Sequence, residues 1–219
     1  MRIFCAEMMR GKGLARAFLY EELRAYKDAI AFPAVDIACG KDPGYWRILG
    51  LTGSYRGSLT AIDRDVAAHP DIVHDISIGN VPFPDGSFKT AFLMNCLYAF
   101  PDPLYAMREA SRLLARGGRL FATFPLVFPY TPEPHDFRRF TEEGVRQLCL
   151  EASFRIIRFI PFGGRWSSAT YLVGPFFRPY ALFGVPLGLA ARFLDTTTEF
   201  FFPRFPKAPI GYLVVAERL

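Results

Sequence analysis

The chain has 219 residues, of which 51% are hydrophobic and 21% charged, and its formal net charge is +5. This composition supplies enough apolar side chains for one sizeable core and excludes a disordered chain. The stretch poorest in charge, residues 167–191, is interrupted by three prolines and three glycines, which argues against a simple transmembrane helix. The 26 basic and 21 acidic residues form no long block, so we expect a solvated surface and no nucleic-acid partner.

The amino-terminal residues and the cysteines indicate the compartment. Charged residues interrupt the first twelve positions, so the order of a secretory signal, basic and then apolar, is missing. The cysteines lie far apart and form no C-x-x-C pair, which argues against disulfides and zinc. We therefore expect a cytoplasmic protein with free thiols and no bound metal; the four cysteines are Cys5, Cys39, Cys96 and Cys149.

Helices and strands alternate in the first part of the chain. Apolar residues at helical spacing predict an amphipathic helix over residues 14–30. A buried strand over 34–40 then runs into a glycine-containing turn, and a helix over 45–51 follows. A second strand is expected over 58–63, and a third over 90–95 after a loop rich in proline.

The next helix has clear end signals. Asp102 is its predicted cap and Pro103 its first residue, Leu114 lies inside it, and Gly117-Gly118 mark its exit. A strand over 120–124 follows, and Thr141 caps one more helix. Two late strands are expected over 154–162 and 212–217. This alternation predicts an α/β fold with a mostly parallel sheet.

Polar residues stand where the predicted strands end. The first strand runs through D-I-A-C-G, residues 36–40, the second ends in Asp63 and the third in Asn95, while Asp75 and Ile76 lie in the loop between the last two. Ligands of open parallel sheets bind beyond the carboxyl ends of the strands. These residues are therefore the candidates for a binding site.

Four motifs in this order resemble those of the class I S-adenosylmethionine-dependent methyltransferases, in particular the small D-x-G-x-G, methyltransferase type 11-like proteins. The resemblance runs from about residue 34 to 154. It rests on D-I-A-C-G, on P-F-P-D-G-S-F, on R-E-A-S-R-L-L-A-R-G-G-R-L and on the later P-H-D-F-R-R-F-T run. It implies a Rossmann-like sheet of seven strands with helices on both faces and one antiparallel late strand.

The resemblance also implies S-adenosylmethionine as cofactor and assigns roles to individual residues. Asp36 would orient the methionine end, which the backbone at Ala38 and Gly40 would approach closely. Asp63 would accept the two ribose hydroxyls, an arrangement that suits an acceptor-only carboxylate. The adenine edge would be read by Asp75 and the Ile76 amide, and the ammonium group would lie near Asn95.

The first motif departs from the usual pattern. Ala38 replaces the first glycine, and the third is replaced around residues 41–44, as if the turn had shifted by one residue. Because the left-handed region is costly for alanine, we expect a negative φ at Ala38. A nicotinamide-binding G-x-G-x-x-G turn is not present, and neither is a phosphate-binding loop.

The proline-rich segment 125–141 follows the strand over 120–124, at the functional edge of the predicted sheet. Such a long loop is typical of an active-site element. If the acceptor is a hydroxyl, His135 is the side chain best suited to take its proton, and the alternative is that His135 shapes the loop by pairing with Asp136 or a backbone carbonyl. Arg138 and Arg139 either clamp an anionic group or brace the loop.

We expect a single domain with a helical segment over 1–33, a cofactor-binding core over 34–160, an aromatic-rich insertion or lid over 161–209 and a last strand over 210–219. The insertion has three open roles: a lid over an apolar substrate, a homodimer face or a peripheral membrane element. Two functions remain. The first is methyl transfer to oxygen of a sugar, lipid or small metabolite. The second is a non-catalytic S-adenosylmethionine-binding or cofactor-free scaffold.

Overall fold

The computed structural model describes residues 2–52, 57–132, 135–174, 180–204 and 207–219. Seven strands form one sheet. They are β1 Ala34–Ile37, β2 Leu59–Asp63, β3 Ile72–Val73, β4 Phe88–Leu93, β5 Leu114–Pro125, β6 Phe154–Phe162 and β7 Gly211–Arg218. Their order across the sheet is β3-β2-β1-β4-β5-β7-β6.

Seven α-helices accompany the sheet in the described part of the chain. They are α1 Arg2–Met9, α2 Leu14–Leu23, α3 Tyr45–Leu49, α4 Pro103–Leu113, α5 Glu142–Glu151, α6 Arg165–Val173 and α7 Tyr180–Phe201. Within the ranges given above, no helix is both long and apolar enough to cross a membrane. Asp102 caps α4 by accepting from the amides of Leu104 and Tyr105, and Thr141 caps α5 in the same way, as the sequence predicts.

The direction of the strands places their carboxyl ends together. β1 pairs in parallel with β2 and β4, β2 with β3, and β4 with β5, whereas β7 runs antiparallel to both β5 and β6. The predicted Rossmann-like sheet with one antiparallel late strand is therefore confirmed. The residues that follow β1, β2 and β4 all emerge at one edge of the sheet.

Alternation of side chains along the strands builds a core on each face. Val35 of β1 and Leu93 of β4 point to the face covered by α4 and α5, where Met107 packs. Their neighbours Ala34 and Phe92 point to the opposite face, which α1, α2 and α3 cover. Because each buried strand presents apolar side chains on both faces, both faces of the sheet must be covered by helices.

Two predicted boundaries are wrong. The helix over 14–30 stops at Leu23 and continues as a 3-10 helix over Arg24–Ala29. Leu114 does not lie inside α4: it is extended, with φ −77° and ψ 141°, and it pairs with Phe88 as the first residue of β5. Leu114 is completely buried there, so strand pairing and burial outweigh its helix preference, and Gly117 with φ +75° lies within the strand.

Candidate functional site

The turn after β1 is attached to the end of β2. The backbone amide of Cys39 donates to the Ile62 carbonyl at 3.2 Å, and the amide of Gly40 donates to Oδ2 of Asp63 at 2.8 Å. Ala38 and Gly40 both have positive φ, +57° and +71°. The expected negative φ at Ala38 is therefore wrong, because the hydrogen bonds of the turn hold the alanine in the left-handed region despite its cost.

This strain leads to a stability prediction. Ala38→Gly should raise the free energy of unfolding by about 0.5–1 kcal/mol, because removing the strain of roughly 1–2 kcal/mol exceeds the entropy that glycine adds to the unfolded chain. Denaturant unfolding of the two proteins measures the difference. Ala110→Gly, in the middle of α4, is the matched control and should destabilise by about 1 kcal/mol. A destabilised Ala38→Gly variant would contradict the prediction.

A cavity of about 440 Å³, here called the Asp63 cavity, opens beyond the carboxyl ends of β1, β2 and β4. Its wall combines apolar residues, two carboxylates and the imidazoles of His74 and His135. The cavity brings together six of the eight residues that the sequence singles out, namely Ala38, Asp63, Asp75, Ile76, Asn95 and His135. Topology explains the cluster, since parallel neighbours end at the same edge of the sheet.

The two carboxylates of this cavity are held by backbone and side-chain donors. Asp63 accepts from the amide of Gly40 through Oδ2 and from that of Asp65 through Oδ1, at 2.8 and 2.9 Å. Two bonds leave acceptor capacity on both oxygens. Asp75 accepts from the amide and hydroxyl of Ser77. Burial raises the pKa of Asp75, but these bonds outweigh it and the net pKa is lowered.

A second cavity of about 480 Å³, the Arg16 cavity, adjoins the first and shares Ala38 and Asn95 with it. It contains Gly40, where an added Cβ would meet nothing within 4 Å, so the turn is open to the cavity. Helix α2 forms one wall, and the end of β5 forms another. Many of the lining side chains are aromatic, namely Tyr20, Tyr45, Phe128, Phe162 and Tyr171.

Asp36 lies beneath these cavities and lines neither of them. Its side chain is completely buried, and Oδ2 accepts from the Tyr45 hydroxyl and from Nε1 of Trp46, each at 2.5 Å. Burial and then the adjacent carboxylate raise the pKa of Tyr45 well above its ordinary range. Asp36 therefore holds Tyr45, which itself lines the Arg16 cavity.

The structure adds residues that the sequence does not single out. Arg16 and Tyr20, four residues apart on α2, both line the Arg16 cavity. Within the described part of the chain, the other cation of this cavity is Lys41, which lies 3.4 Å from Asp65. Charges on an amphipathic helix normally face solvent, so only the packing of α2 against the sheet distinguishes Arg16. Tyr171 comes from α6, far away in the sequence.

The loop after β5 is braced by its two arginines. Arg139 donates to the carbonyls of Phe128 and Pro129 and pairs with Asp136, whose Oδ2 lies 2.8 Å from the guanidinium. Arg138 donates to the Pro101 carbonyl at 2.5 Å. Asp136 also accepts from the amide of Thr131 at 2.9 Å. Both arginines thus contact the protein's own backbone, and His135 lies exposed at the Asp63 cavity.

The Asp136 pair gives the protein an acid-sensitive element. The Arg139 hydrogen bond lowers the pKa of Asp136, so the stabilisation is complete above the ordinary Asp pKa near 3.9 and is lost as the pH falls through the lowered value. Asp136→Asn should therefore cost about 1–2 kcal/mol of unfolding free energy at neutral pH, and this cost should shrink as the pH falls through the lowered pKa of Asp136.

Denaturant unfolding of the wild type and of Asp136→Asn across this pH range measures the effect. Glu142→Gln is the matched control, because Glu142 pairs with Arg146 on the exposed surface of α5 and should contribute little at any pH. A stability difference between wild type and Asp136→Asn that stays constant with pH would contradict the assignment.

Comparison with known proteins gives a family-model match over part of the chain and solved structures with a similar fold. Residues 35–122 match the family model described as a methyltransferase domain. No curated protein matches the chain in sequence. An S-adenosylmethionine-dependent methyltransferase from Mesorhizobium loti has 17% identity and a TM-score of 0.59, with 94% of this chain and 100% of that one covered.

Two further solved structures show how widely this fold is used. The Burkholderia thailandensis 1,6-didemethyltoxoflavin-N1-methyltransferase, solved with S-adenosylhomocysteine, has 14% identity and a TM-score of 0.53, covering 91% of this chain and 77% of that one. The 4+2 cyclase SpnF has 17% identity and a TM-score of 0.57, covering 91% and 80%. At such identities these likenesses concern the fold alone.

Residues 35–122 therefore match a methyltransferase domain, and the sheet that carries them has the Rossmann-like strand order described above.

Proposed function

We propose that the protein transfers the methyl group of S-adenosylmethionine to an oxygen of a sugar, lipid or small metabolite. The observation that carries the proposal is the meeting of two cavities at Ala38 and Asn95, directly beyond the ends of β1 and β4. Residues 34–160 would hold the cofactor together with Arg16 of α2. Residues 1–33 and 161–209 would build the acceptor side, since α2 and α6 line the Arg16 cavity.

The Asp63 cavity fits the nucleoside half of the cofactor. Asp63 has acceptor capacity left on both oxygens, which suits two ribose hydroxyls. Asp75 and the Ile76 amide lie in the same cavity, and they would bind the adenine edge. Arg64 lies 3.5 Å from Asp75 and keeps that carboxylate charged and in place.

The Arg16 cavity fits the methionine half. Ala38 and Gly40 present their backbone there, and Asn95 would bind the ammonium group. We assign the carboxylate to Arg16, because the second cation of the cavity, Lys41, has Asp65 as its partner. Asp36 would act from below by fixing Tyr45 through the 2.5 Å hydrogen bond.

The sulfonium supplies an activated methyl group, so the protein's main task is to align donor and acceptor. The aromatic wall of Phe128, Phe162 and Tyr171 excludes water and accepts an apolar acceptor body. A hydroxyl acceptor must also lose its proton, and we assign that proton to His135. His135 lines the Asp63 cavity together with Asn95, one of the two residues that both cavities share.

Titration calorimetry with S-adenosylhomocysteine tests the proposal. The wild type should bind it, and Arg16→Ala should bind more weakly by about tenfold or more, since one charged hydrogen bond is lost. Arg24→Ala is the matched control, because Arg24 lies in the 3-10 helix after α2 and lines neither cavity. If neither S-adenosylmethionine nor S-adenosylhomocysteine binds the folded wild type, the scaffold function replaces the enzyme.

A further inference from the structure

A third cavity, of about 580 Å³, lies where β6 ends and is here called the Glu22 cavity. Phe162, the last residue of β6, lines both this cavity and the Arg16 cavity, so the two meet at its side chain. The amide of Ile210 donates to the Phe162 carbonyl at 3.0 Å. Ile210 lines the Arg16 cavity, whereas its neighbour Pro209 lines the Glu22 cavity. Phe162 and residues 209–210 therefore form the boundary between the two cavities.

The Glu22 cavity is built outside the part of the chain that matches the methyltransferase family model. Each described residue that lines it belongs to residues 1–33 or 161–209, and none of them lies within 35–122. Helix α2 contributes to both cavities, since Arg16 lines one and Phe18 and Glu22 line the other. Because the matched region contributes nothing to it, this cavity is suited to recognising what is particular to this chain, namely its acceptor.

The charges that line the Glu22 cavity balance. Among the described residues there are three basic and three acidic ones, namely Arg165, Arg192, Lys207, Glu22, Asp195 and Glu199. A ligand with a net charge of either sign would meet as many repulsive side chains as attractive ones. An alkyl chain would take these ionised groups out of water without offering them a hydrogen bond. The lining therefore favours a ligand that is neutral and polar.

Two of the charged side chains hold the walls of the cavity together. Arg192 pairs with Glu21 and lies over the ring of Phe18, with its Cζ 5.6 Å from the ring centroid. Asp195 accepts from the amide of Trp166 at 2.7 Å and thereby joins α7 to the beginning of α6. These contacts keep α2, α6 and α7 in place around the cavity, so its shape does not depend on a bound ligand.

The other lining side chains suit the hydroxyls and the ring of a sugar. Glu22 and Glu199 are hydrogen-bond acceptors and Lys207 is a donor, whereas each sugar hydroxyl can donate and accept. Phe18 and Phe162 add an apolar surface on which the C–H groups of a pyranose ring can pack. A neutral sugar is therefore the class of ligand that satisfies both the polar and the aromatic part of the lining.

We propose that the Glu22 cavity binds a neutral saccharide and that this saccharide is the acceptor, with one hydroxyl extending past Phe162 into the Arg16 cavity. The inference rests on the proposed methyl transfer and narrows its acceptor to a sugar. In the transfer, the hydroxyl oxygen forms a bond to the methyl carbon while the bond from that carbon to sulfur breaks. The electron pair of the broken bond stays on sulfur, which gives S-adenosylhomocysteine, and the hydroxyl proton goes to His135.

Saturation-transfer NMR on the full-length protein, without cofactor, tests saccharide binding. The neutral probes are maltose and the methyl glycosides of glucose, galactose and mannose, while gluconate, glycylglycine and octanol represent anionic, zwitterionic and apolar ligands. At least one neutral saccharide should give a signal. The double variant Glu22→Ala with Glu199→Ala should weaken its affinity by about tenfold or more, because hydrogen bonds to charged groups are lost.

Glu143→Ala is the matched control, because this exposed glutamate of α5 lines none of the three cavities and its loss should leave saccharide affinity unchanged. Circular dichroism confirms that each variant is folded. The proposal is overturned if no neutral saccharide gives a signal that the double variant weakens, or if only gluconate, glycylglycine or octanol does.

The saccharide experiment and the cofactor experiment fail independently. If S-adenosylhomocysteine binds the wild type but no neutral saccharide does, the sugar acceptor is wrong and methyl transfer stands. If a saccharide binds in the Glu22 cavity but neither S-adenosylmethionine nor S-adenosylhomocysteine binds the protein, the saccharide site stands and its role as the methyl acceptor is overturned.

Discussion

Replacing His135 by alanine should lower kcat by about 10²- to 10⁴-fold, the range that a positioned general base contributes. The affinity for S-adenosylhomocysteine should stay nearly unchanged, because the assigned role concerns the acceptor proton. The kcat measurement requires the acceptor on which the wild type turns over, whereas the binding measurement does not.

The position of His135 makes the binding measurement decisive. Its side chain lines the cavity that also contains Asp63 and Asp75, so a role in covering the nucleoside would appear as a weaker affinity for S-adenosylhomocysteine. His69→Asn is the matched control: His69 lines neither cavity, and asparagine tolerates its φ of +50°. A near-normal kcat in the His135→Ala variant would exclude His135 as the general base. The alignment of methyl donor and acceptor would then be the source of catalysis.

Asp63→Ala should weaken the binding of S-adenosylhomocysteine by about 1.5–3 kcal/mol, or roughly ten- to 150-fold. The loss combines the ribose contact with the support that the carboxylate gives to the Gly40 amide at 2.8 Å. Calorimetry measures the change. Asp85→Ala is the matched control, because this exposed carboxylate pairs with Arg112 and lines neither cavity.

Asp63→Asn separates the two contributions. The amide oxygen still accepts from one backbone amide, so the turn at Gly40 is expected to survive while the charged acceptor is lost. An intermediate affinity is therefore expected for Asp63→Asn. Wild-type affinity in a folded Asp63→Ala variant would exclude Asp63 from the cofactor site.

The elements that could be predicted from sequence are those with strong local signals. β6, Phe154–Phe162, agrees with its predicted range, and the caps Asp102 and Thr141 mark where α4 and α5 begin. β3 was not predicted, because its two residues, Ile72 and Val73, give no periodic pattern and acquire strand geometry by pairing with β2. The predicted end of α4 lies too late in the chain, because Leu114 has a high helix propensity but is buried in the sheet, where it pairs with Phe88.

The candidate site also contains residues that local sequence signals predict and residues that only tertiary packing brings to it. Strand ends are local features, and the parallel sheet brings Asp63, Asp75 and Asn95 to one cavity without further information. Arg16 and Tyr171 reach their cavity only through the packing of α2 and α6 against the sheet, which no residue spacing encodes. The backbone at Ala38 was mispredicted because alanine's intrinsic cost in the left-handed region is smaller than what the turn's hydrogen bonds recover.

The position of β7 determines the order in which the sheet can be completed. β7 lies between β5 and β6 and pairs antiparallel with both, although it follows every other strand in the chain. During synthesis β6 therefore has no neighbour to pair with until residues 211–218 have been made, and β5 presents an unpaired edge over the same period. Because long-range pairing is slow and open strand edges attract other chains, this interval is when the nascent protein is most exposed to aggregation.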